Sequence, residues 1–316
     1  MKKKLIIIFA NIFIFVMLAA AYEFICYKHE YARIKAAAAD VNEFWKEKMG
    51  SDKDVIRAKY EFVKKITKEY LDRKIQKKEG KNTDKGSIII AGCSFADGQE
   101  LDEQNRFHSV LSDASGRTVY NFGFPSASIN WIYKRLLLDN KSSSEYNNPE
   151  YFIYVYIPDH IRRLFSFETQ TSTANIRYKI KNGRLEETKS IIDVLYPLFS
   201  IKKLARYITA KETNEEVKNN LPLFNKLMFE TKKLADEKYN HPKFILLDYP
   251  QLDNDDGLSE QEIKTLGGAG IIYINVEELI GHELINREEY FVSDKIHPNE
   301  RAWQEIAPAL AKRLEL

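Results

Sequence analysis

Residues 86–98 read GSIIIAGCSFADG, and this stretch decides the fold. Residues 87–91 form a nearly unbroken apolar run, typical of a parallel strand buried on both faces, and Gly92 ends it. Ser94 is therefore expected just past the carboxyl end of a core strand. Ligands bind at that edge of an open α/β sheet, because loops leave the strands there and helix amino termini point back at them. A serine at this position is also a common helix cap, so two interpretations remain open.

A second stretch, close to the carboxyl terminus, favours a chemical role for Ser94. Residues 293–298 read SDKIHP. A serine hydroxyl is a weak nucleophile at neutral pH and needs an imidazole base within hydrogen-bond reach, for which His297 is the candidate. Asp294 can accept the other ring N–H and fix the tautomer. The alternative is that Asp294 and His297 only form the amino-terminal cap of a last helix that starts at His297 and Pro298.

Together the two stretches resemble the SGNH (GDSL-type) hydrolase family over roughly residues 86–316. The resemblance implies an α/β fold, a three-layer αβα flavodoxin-like domain with a five-stranded parallel sheet. It also implies a serine esterase, a carboxylic-ester hydrolase, in which Ser94, His297 and Asp294 form a catalytic triad.

Two middle segments resemble the family's other blocks and supply candidate oxyanion or substrate contacts. In residues 121–126, which read NFGFPS, Ser126 stands where the family has a glycine, and Gly123 is the earlier small residue of the same turn. A backbone donor tolerates this change, because serine also has an N–H. In residues 157–160, which read IPDH, Asp159 falls nearest the family's asparagine and His160 follows it.

Asp159 leaves three alternatives open. An ionised carboxylate would repel an oxyanion, so either Asp159 is turned away or His160 supplies the donor. The third alternative is that Asp159 caps a helix that begins at Ile161.

The sequence also predicts the positions or roles of four residues near these segments. Cys93 replaces the family's aspartate, and strand alternation directs it to the core while Ser94 faces the cleft. His108 is assigned to a helix surface. Asn130 and Trp131 are candidates for substrate contact, although packing is the commoner use of a tryptophan.

Further strands are predicted along the chain, alternating with helices, which gives a sheet covered on both faces. The polar segment 77–85 is interpreted as a linker. An Asn-Gly turn between residues 176 and 185 predicts a hairpin within an insertion at about 162–219. The four further parallel strands are expected at 117–122, 151–157, 243–248 and 270–274.

Residues 1–27 predict an amino-terminal membrane anchor. Three lysines at 2–4 precede an apolar run over residues 5–22, about long enough to cross a bilayer as a helix. The lysines should stay cytoplasmic, which would place the rest of the chain outside the cytoplasm, in the periplasm or the extracellular space. A cleaved signal peptide, with alanines at 19–21 as the cleavage site, is the alternative. Residues 28–85 are predicted to form a helical stalk and linker.

Composition excludes other classes of function. The formal net charge of the 316 residues is +2, and no basic stripe with interleaved aromatic residues occurs, which argues against a nucleic-acid partner. Two cysteines offer no cysteine-based metal site. The glycine-rich stretch 267–270 precedes a strand rather than a helix, so it is no phosphate loop. No cofactor and no metal are therefore expected.

The predicted location indicates the substrate class, an acylated glycan or lipid of the cell envelope. An O-acyltransferase for exported polysaccharide would use the same triad, because a sugar hydroxyl can resolve the acyl-enzyme instead of water. A non-catalytic binding domain is the alternative of another class, motivated by the substitutions at Cys93, Ser126 and Asp159.

Overall fold

A computed structural model describes residues 75–164 apart from 83 and 99, residues 176–188, and residues 214–316 apart from 251–257, 285–286 and 295. The predicted membrane anchor, the stalk up to residue 74 and most of the predicted insertion lie outside these residues. Among the residues described, no helix is both long enough and apolar enough to cross a membrane.

The described chain alternates strands and helices. Its strands are β1 Gln76–Lys78, β2 Ile88–Gly92, β3 Val119–Asn121, β4 Tyr151–Tyr156, β5 Arg177–Lys181, β6 Arg184–Thr188, β7 Lys243–Asp248 and β8 Ile271–Asn275. Its α-helices are α1 Ser94–Asp97, α2 Phe107–Ser115, α3 Ile129–Leu138, α4 Asp159–Arg162, α5 Asn214–Tyr239, α6 Glu260–Gly268, α7 Val276–Ile280 and α8 Glu300–Arg313. Short 3-10 turns occur at Glu103–Asn105, Ser143–Tyr146 and Glu288–Tyr290.

The main sheet has the strand order β1-β3-β2-β4-β7-β8. Five of these strands are mutually parallel: β3, β2, β4, β7 and β8. This confirms the predicted five-stranded parallel sheet, and its strand order is the flavodoxin-like one. The chain passes from β2 to β3 on one side and then crosses to β4 on the other. The strand order therefore reverses beside the carboxyl end of β2, which is where ligands bind in such sheets.

A sixth strand corrects the prediction of a linker at 77–85. Gln76–Lys78 pairs antiparallel with β3 at the edge of the sheet. Its side chains are polar and half-buried or exposed, as is common for edge strands, where charged residues block further pairing. An edge strand buries little apolar surface, so its sequence resembles that of a linker.

The core lies on both faces of the sheet. Neighbouring residues of a strand point to opposite faces, so Tyr154 packs in the layer of α3 and α5 while Val155 packs in the layer of α2 and α8. Trp303 of α8 is fully buried and stacks on Phe107 of α2, with ring centroids 4.4 Å apart. The sheet is thus covered by helices on both sides, in three layers.

The predicted hairpin is confirmed, and the start of the last helix is corrected. Asn182 and Gly183 both have positive φ angles, 50° and 73°, as a two-residue type I′ turn between β5 and β6 requires. Helix α8 begins at Glu300 instead of at His297 and Pro298. Asn299 caps it by accepting a hydrogen bond from the N–H of Ala302.

We expect Gly92→Ala to destabilise the protein by at least about 2 kcal/mol. Gly92 has a φ of 151°, and an added Cβ would lie 2.8 Å from the backbone oxygen of Val155, which cannot move without breaking the sheet. Gly267→Ala in helix α6 is the matched control, because a Cβ there meets open space. Denaturant unfolding should show the control unchanged or stabilised by about 0.5–1 kcal/mol. Equal stabilities of the two variants would contradict this account.

Candidate active site

Ser94 lies at the carboxyl end of the fully buried strand β2, as the first residue of the short helix α1. Its Oγ is 2.8 Å from Nε2 of His297, a hydrogen-bond distance between residues 203 positions apart in sequence. The residue before it, Cys93, is fully buried in the core, in agreement with the prediction from strand alternation. The structure thus brings the hydroxyl of Ser94 and the imidazole of His297 together.

A tight turn before helix α8 holds the imidazole. Phe291 and Pro298 form an isolated β-bridge, and the N–H of Val292 donates to the carbonyl of His297 at 2.9 Å. The side-chain amide of Asn299 donates to the carbonyls of Glu289 and Phe291. These contacts fix the backbone on both sides of His297.

Asp294 completes the cluster. Its Oδ2 lies 2.5 Å from Nδ1 of His297, and its Oδ1 accepts hydrogen bonds from the N–H groups of Ile296 and His297. Partial burial alone would raise the pKa of Asp294, but the hydrogen bonds from His297 and Ile296 outweigh it and lower the pKa below its ordinary value. The ionised carboxylate favours a proton on Nδ1, which leaves Nε2 free to accept the Ser94 proton.

The helix-cap interpretation of Ser94, Asp294 and His297 is wrong for this structure. Asn299 caps helix α8, and the first turn of α1 receives no side-chain cap.

Ser126 and Gly123, both in the turn after β3, differ in whether their backbone N–H groups already donate a hydrogen bond. Ser126 has a positive φ of 64°, a left-handed conformation that favours glycine. Its N–H donates to no residue that the structure describes. The N–H of Gly123, by contrast, donates to Oδ1 of Asn121 at 2.8 Å, so it is already used. Of these two N–H groups, only that of Ser126 has no acceptor among the residues described, so it is the candidate donor to a ligand.

Asp159 and His160 each make a hydrogen bond to a residue other than Ser94. Asp159 begins helix α4, and its Oδ2 accepts a hydrogen bond from Nε of Arg163 at 2.7 Å. His160 is fully buried, and its Nδ1 lies 2.7 Å from the hydroxyl of Tyr154. Burial and the nearby charge of Arg163 place the pKa of His160 well below its ordinary value, so the ring is neutral. The position before helix α4 is Pro158, and no side chain caps it.

Asn121 has a connecting role that sequence reasoning missed. It is buried, and its amide group donates to the carbonyl of Ala96 in α1 at 2.9 Å while its Oδ1 accepts from the N–H of Gly123. A Cβ on Gly123 would lie 2.7 Å from the backbone nitrogen of Asp97. The turn after β3 therefore packs directly against the helix that begins with Ser94.

His108 is not on a helix surface, and that prediction is wrong. Its side chain is fully buried and hydrogen-bonds with Glu103 at 2.8 Å. Burial lowers the pKa of His108, although the Glu103 carboxylate opposes this. The sequence held one signal for the burial of His108. Leu111, Ser112 and Ser115 follow it at helical spacing and are apolar or small, as residues on a buried helix face are.

Trp131 and Asn130 both contact other parts of the protein: Trp131 packs in the core, and Asn130 makes a hydrogen bond. Trp131 is buried and stacks on Phe124 with ring centroids 6.2 Å apart. The side-chain amide of Asn130 donates to the carbonyl of Ile176, which ties helix α3 to the β5–β6 hairpin.

Comparisons with known proteins add little beyond this geometry. No family model and no curated protein matches the chain. Among solved structures, it is similar to a protein assigned to the G-D-S-L lipolytic family from Desulfitobacterium hafniense DCB-2, with 15% identity, a TM-score of 0.41 and coverage of 72% of this chain and 99% of the other. It is also similar to an acetyl xylan esterase from Butyrivibrio proteoclasticus, with 10% identity, a TM-score of 0.43 and coverage of 73% and 63%. These likenesses are weak, so the case for a function rests on the site itself.

We expect Asp248→Asn to stabilise the protein at pH 7. Asp248 ends strand β7 at the same sheet edge, with 7% of its surface exposed and the hydroxyl of Tyr273 donating to it at 2.6 Å. Burial raises the pKa of Asp248 to about 6; the Tyr273 hydrogen bond opposes this shift and the charge of Glu277 adds to it. The folded protein therefore binds the proton more tightly than the unfolded chain, and stability falls as pH rises from about 4 to about 6.

Asparagine has no charge to bury, so the gain at pH 7 should be on the order of 2 kcal/mol and should vanish below pH 4. Urea unfolding across this pH range measures it. Asp113→Asn, on an exposed face of helix α2, is the control and should change stability by less than about 0.5 kcal/mol at either pH. A pH-independent difference for Asp248→Asn would contradict the assignment.

Proposed function

We propose that this protein is a serine hydrolase of SGNH type, an esterase or deacylase whose triad is Ser94, His297 and Asp294. The observation that carries the proposal is the 2.8 Å contact between Oγ of Ser94 and Nε2 of His297, with Asp294 on the other ring nitrogen. A nucleophile, a base and a group that orients the base are what acyl transfer requires.

The reaction would proceed in two steps. The oxygen of Ser94 attacks the ester carbonyl while His297 takes the hydroxyl proton, and His297 then gives that proton to the departing alcohol. Water, activated by the same imidazole, hydrolyses the acyl-enzyme. The N–H groups of Ser94 and Ser126 are the proposed donors to the oxyanion. The first turn of a helix has no internal acceptor for the N–H of Ser94, and the N–H of Ser126 has no acceptor among the residues described.

The proposed substrate is an acylated glycan or lipid of the cell envelope. The basic and apolar pattern of residues 1–27 supports an anchored protein with its catalytic domain outside the cytoplasm. His297 and Asp294 are one quarter and more than one third exposed, which leaves the cluster accessible to a bulky ester.

We expect a fluorophosphonate probe to label the full-length protein at Ser94. Ser94→Ala should abolish labelling, and His297→Ala should slow it by about 10²- to 10⁴-fold, because the hydroxyl loses its base. In-gel fluorescence and mass spectrometry of the labelled peptide measure both effects. His241→Asn is the matched control, an exposed histidine at the opposite edge of the sheet whose left-handed backbone asparagine tolerates.

Labelling that persists in Ser94→Ala would reveal another nucleophile. A folded wild-type protein that resists the probe would support a binding role instead. If the wild type is labelled, product analysis with an acylated glycan and a free acceptor glycan distinguishes hydrolysis from O-acyl transfer.

A further inference from the structure

The guanidinium of Arg163 connects two loops at the carboxyl ends of the strands. Its side chain is 14% exposed. Nε donates to Oδ2 of Asp159 at 2.7 Å, and Nη1 donates to the carbonyl of Ala127 at 3.1 Å. Arg163 and Asp159 follow strand β4 and Ala127 follows strand β3, so this side chain joins two loops at the carboxyl ends of the strands.

One of these partners is a sequence neighbour of a proposed oxyanion donor. Ala127 directly follows Ser126, whose backbone is left-handed. A serine in that conformation needs support from its surroundings, because its side chain disfavours positive φ. The hydrogen bond from Arg163 to the carbonyl of Ala127 holds the backbone of the residue that follows Ser126.

The charge of Arg163 is maintained in spite of its burial. Burial opposes the charge of Arg163, but the nearby Cys93 and the paired Asp159 outweigh it and raise the pKa of Arg163 above its ordinary value. The same ion pair neutralises the Asp159 carboxylate, which would otherwise bring a negative charge to the edge of the sheet where an oxyanion forms.

We propose that Arg163, held by Asp159, is a positioning residue for the oxyanion site. It touches no reacting atom. It fixes the turn at residues 126–127 relative to the loop after β4, so that the N–H of Ser126 keeps its place in the oxyanion site. The inference rests on the proposed hydrolase function and names a part of that same site.

A purely structural ion pair is the competing explanation, and the chain offers a matched control. Lys232 and Asp236 form another pair four residues apart on a helix, 2.6 Å between the charged atoms, with exposures of 19% and 17%. This pair lies on helix α5, which carries none of the proposed site residues. Its loss should cost stability without affecting chemistry.

The test compares Arg163→Gln, Arg163→Lys and Lys232→Gln with the wild type in the full-length protein. Thermal unfolding, kcat and KM for p-nitrophenyl acetate, and the fluorophosphonate labelling rate are measured. Arg163→Gln should lower kcat and the labelling rate by about 10- to 100-fold with KM changed less than about threefold, because misplaced donors stabilise the transition state poorly. Arg163→Lys should recover part of kcat, since an ammonium can pair with Asp159 but lacks the planar fork. Lys232→Gln should keep wild-type kcat.

Each remaining outcome is decisive. If the wild type is reactive and Arg163→Gln keeps the wild-type kcat, the inference about Arg163 is overturned but the proposed function is not. The same holds if Lys232→Gln loses as much kcat as Arg163→Gln. A wild type that neither turns over the ester nor labels overturns the proposed function, and the inference with it. If Arg163→Gln does not fold, Arg163→Lys takes its place in the test. A kcat at least about threefold below that of the wild type, with an unchanged unfolding temperature, then supports the inference. A wild-type kcat in Arg163→Lys overturns it.

Discussion

The burial of strand β2 between two parallel neighbours is the constraint on which the site depends. All five of its residues are buried, and it hydrogen-bonds to β3 on one side and β4 on the other. A strand so enclosed cannot shift its register without breaking its hydrogen bonds to both neighbours and disturbing the close packing on both faces. Its carboxyl end is therefore a fixed point, and Gly92 allows the chain to turn there against the backbone of Val155. Ser94 takes its position from this turn.

Side chains join the loops around that fixed point. Asn121 links the β3 turn to helix α1, Arg163 links the β3 turn to the loop after β4, and the hydroxyl of Ser128 donates to the carbonyl of His160 at 2.8 Å. Each of these groups is buried or nearly so, where an unmade hydrogen bond costs about 1–3 kcal/mol. The edge of the sheet is thus held in one arrangement by polar contacts that would be expensive to break.

Three aspartates near this edge have different electrostatic environments. Asp294 receives three hydrogen bonds and its pKa is lowered, whereas Asp248 is buried beside Glu277 and its pKa is raised. Asp159 has a cation as its partner. The same side chain can hold a base in place, store a proton near neutral pH or neutralise an arginine, because burial and hydrogen-bond partners set its charge. None of these differences follows from the residue type alone.

The sequence by itself predicted the five parallel strands, because apolar runs and turn residues are local signals, and its resemblance to the SGNH family implied their flavodoxin-like order and the candidate residues Ser94, Asp294 and His297. It also predicted the hairpin turn at Asn182 and Gly183. Only the tertiary structure decided which N–H of the β3 turn is free, that His108 and His160 are buried, and that residues 76–78 add an edge strand. It also decided that Asp159 meets Arg163 and that Asn299 caps the last helix. These outcomes depend on which distant groups come within 3 Å of one another, and that distance is set by packing across the whole sheet rather than by the order of residues along the chain.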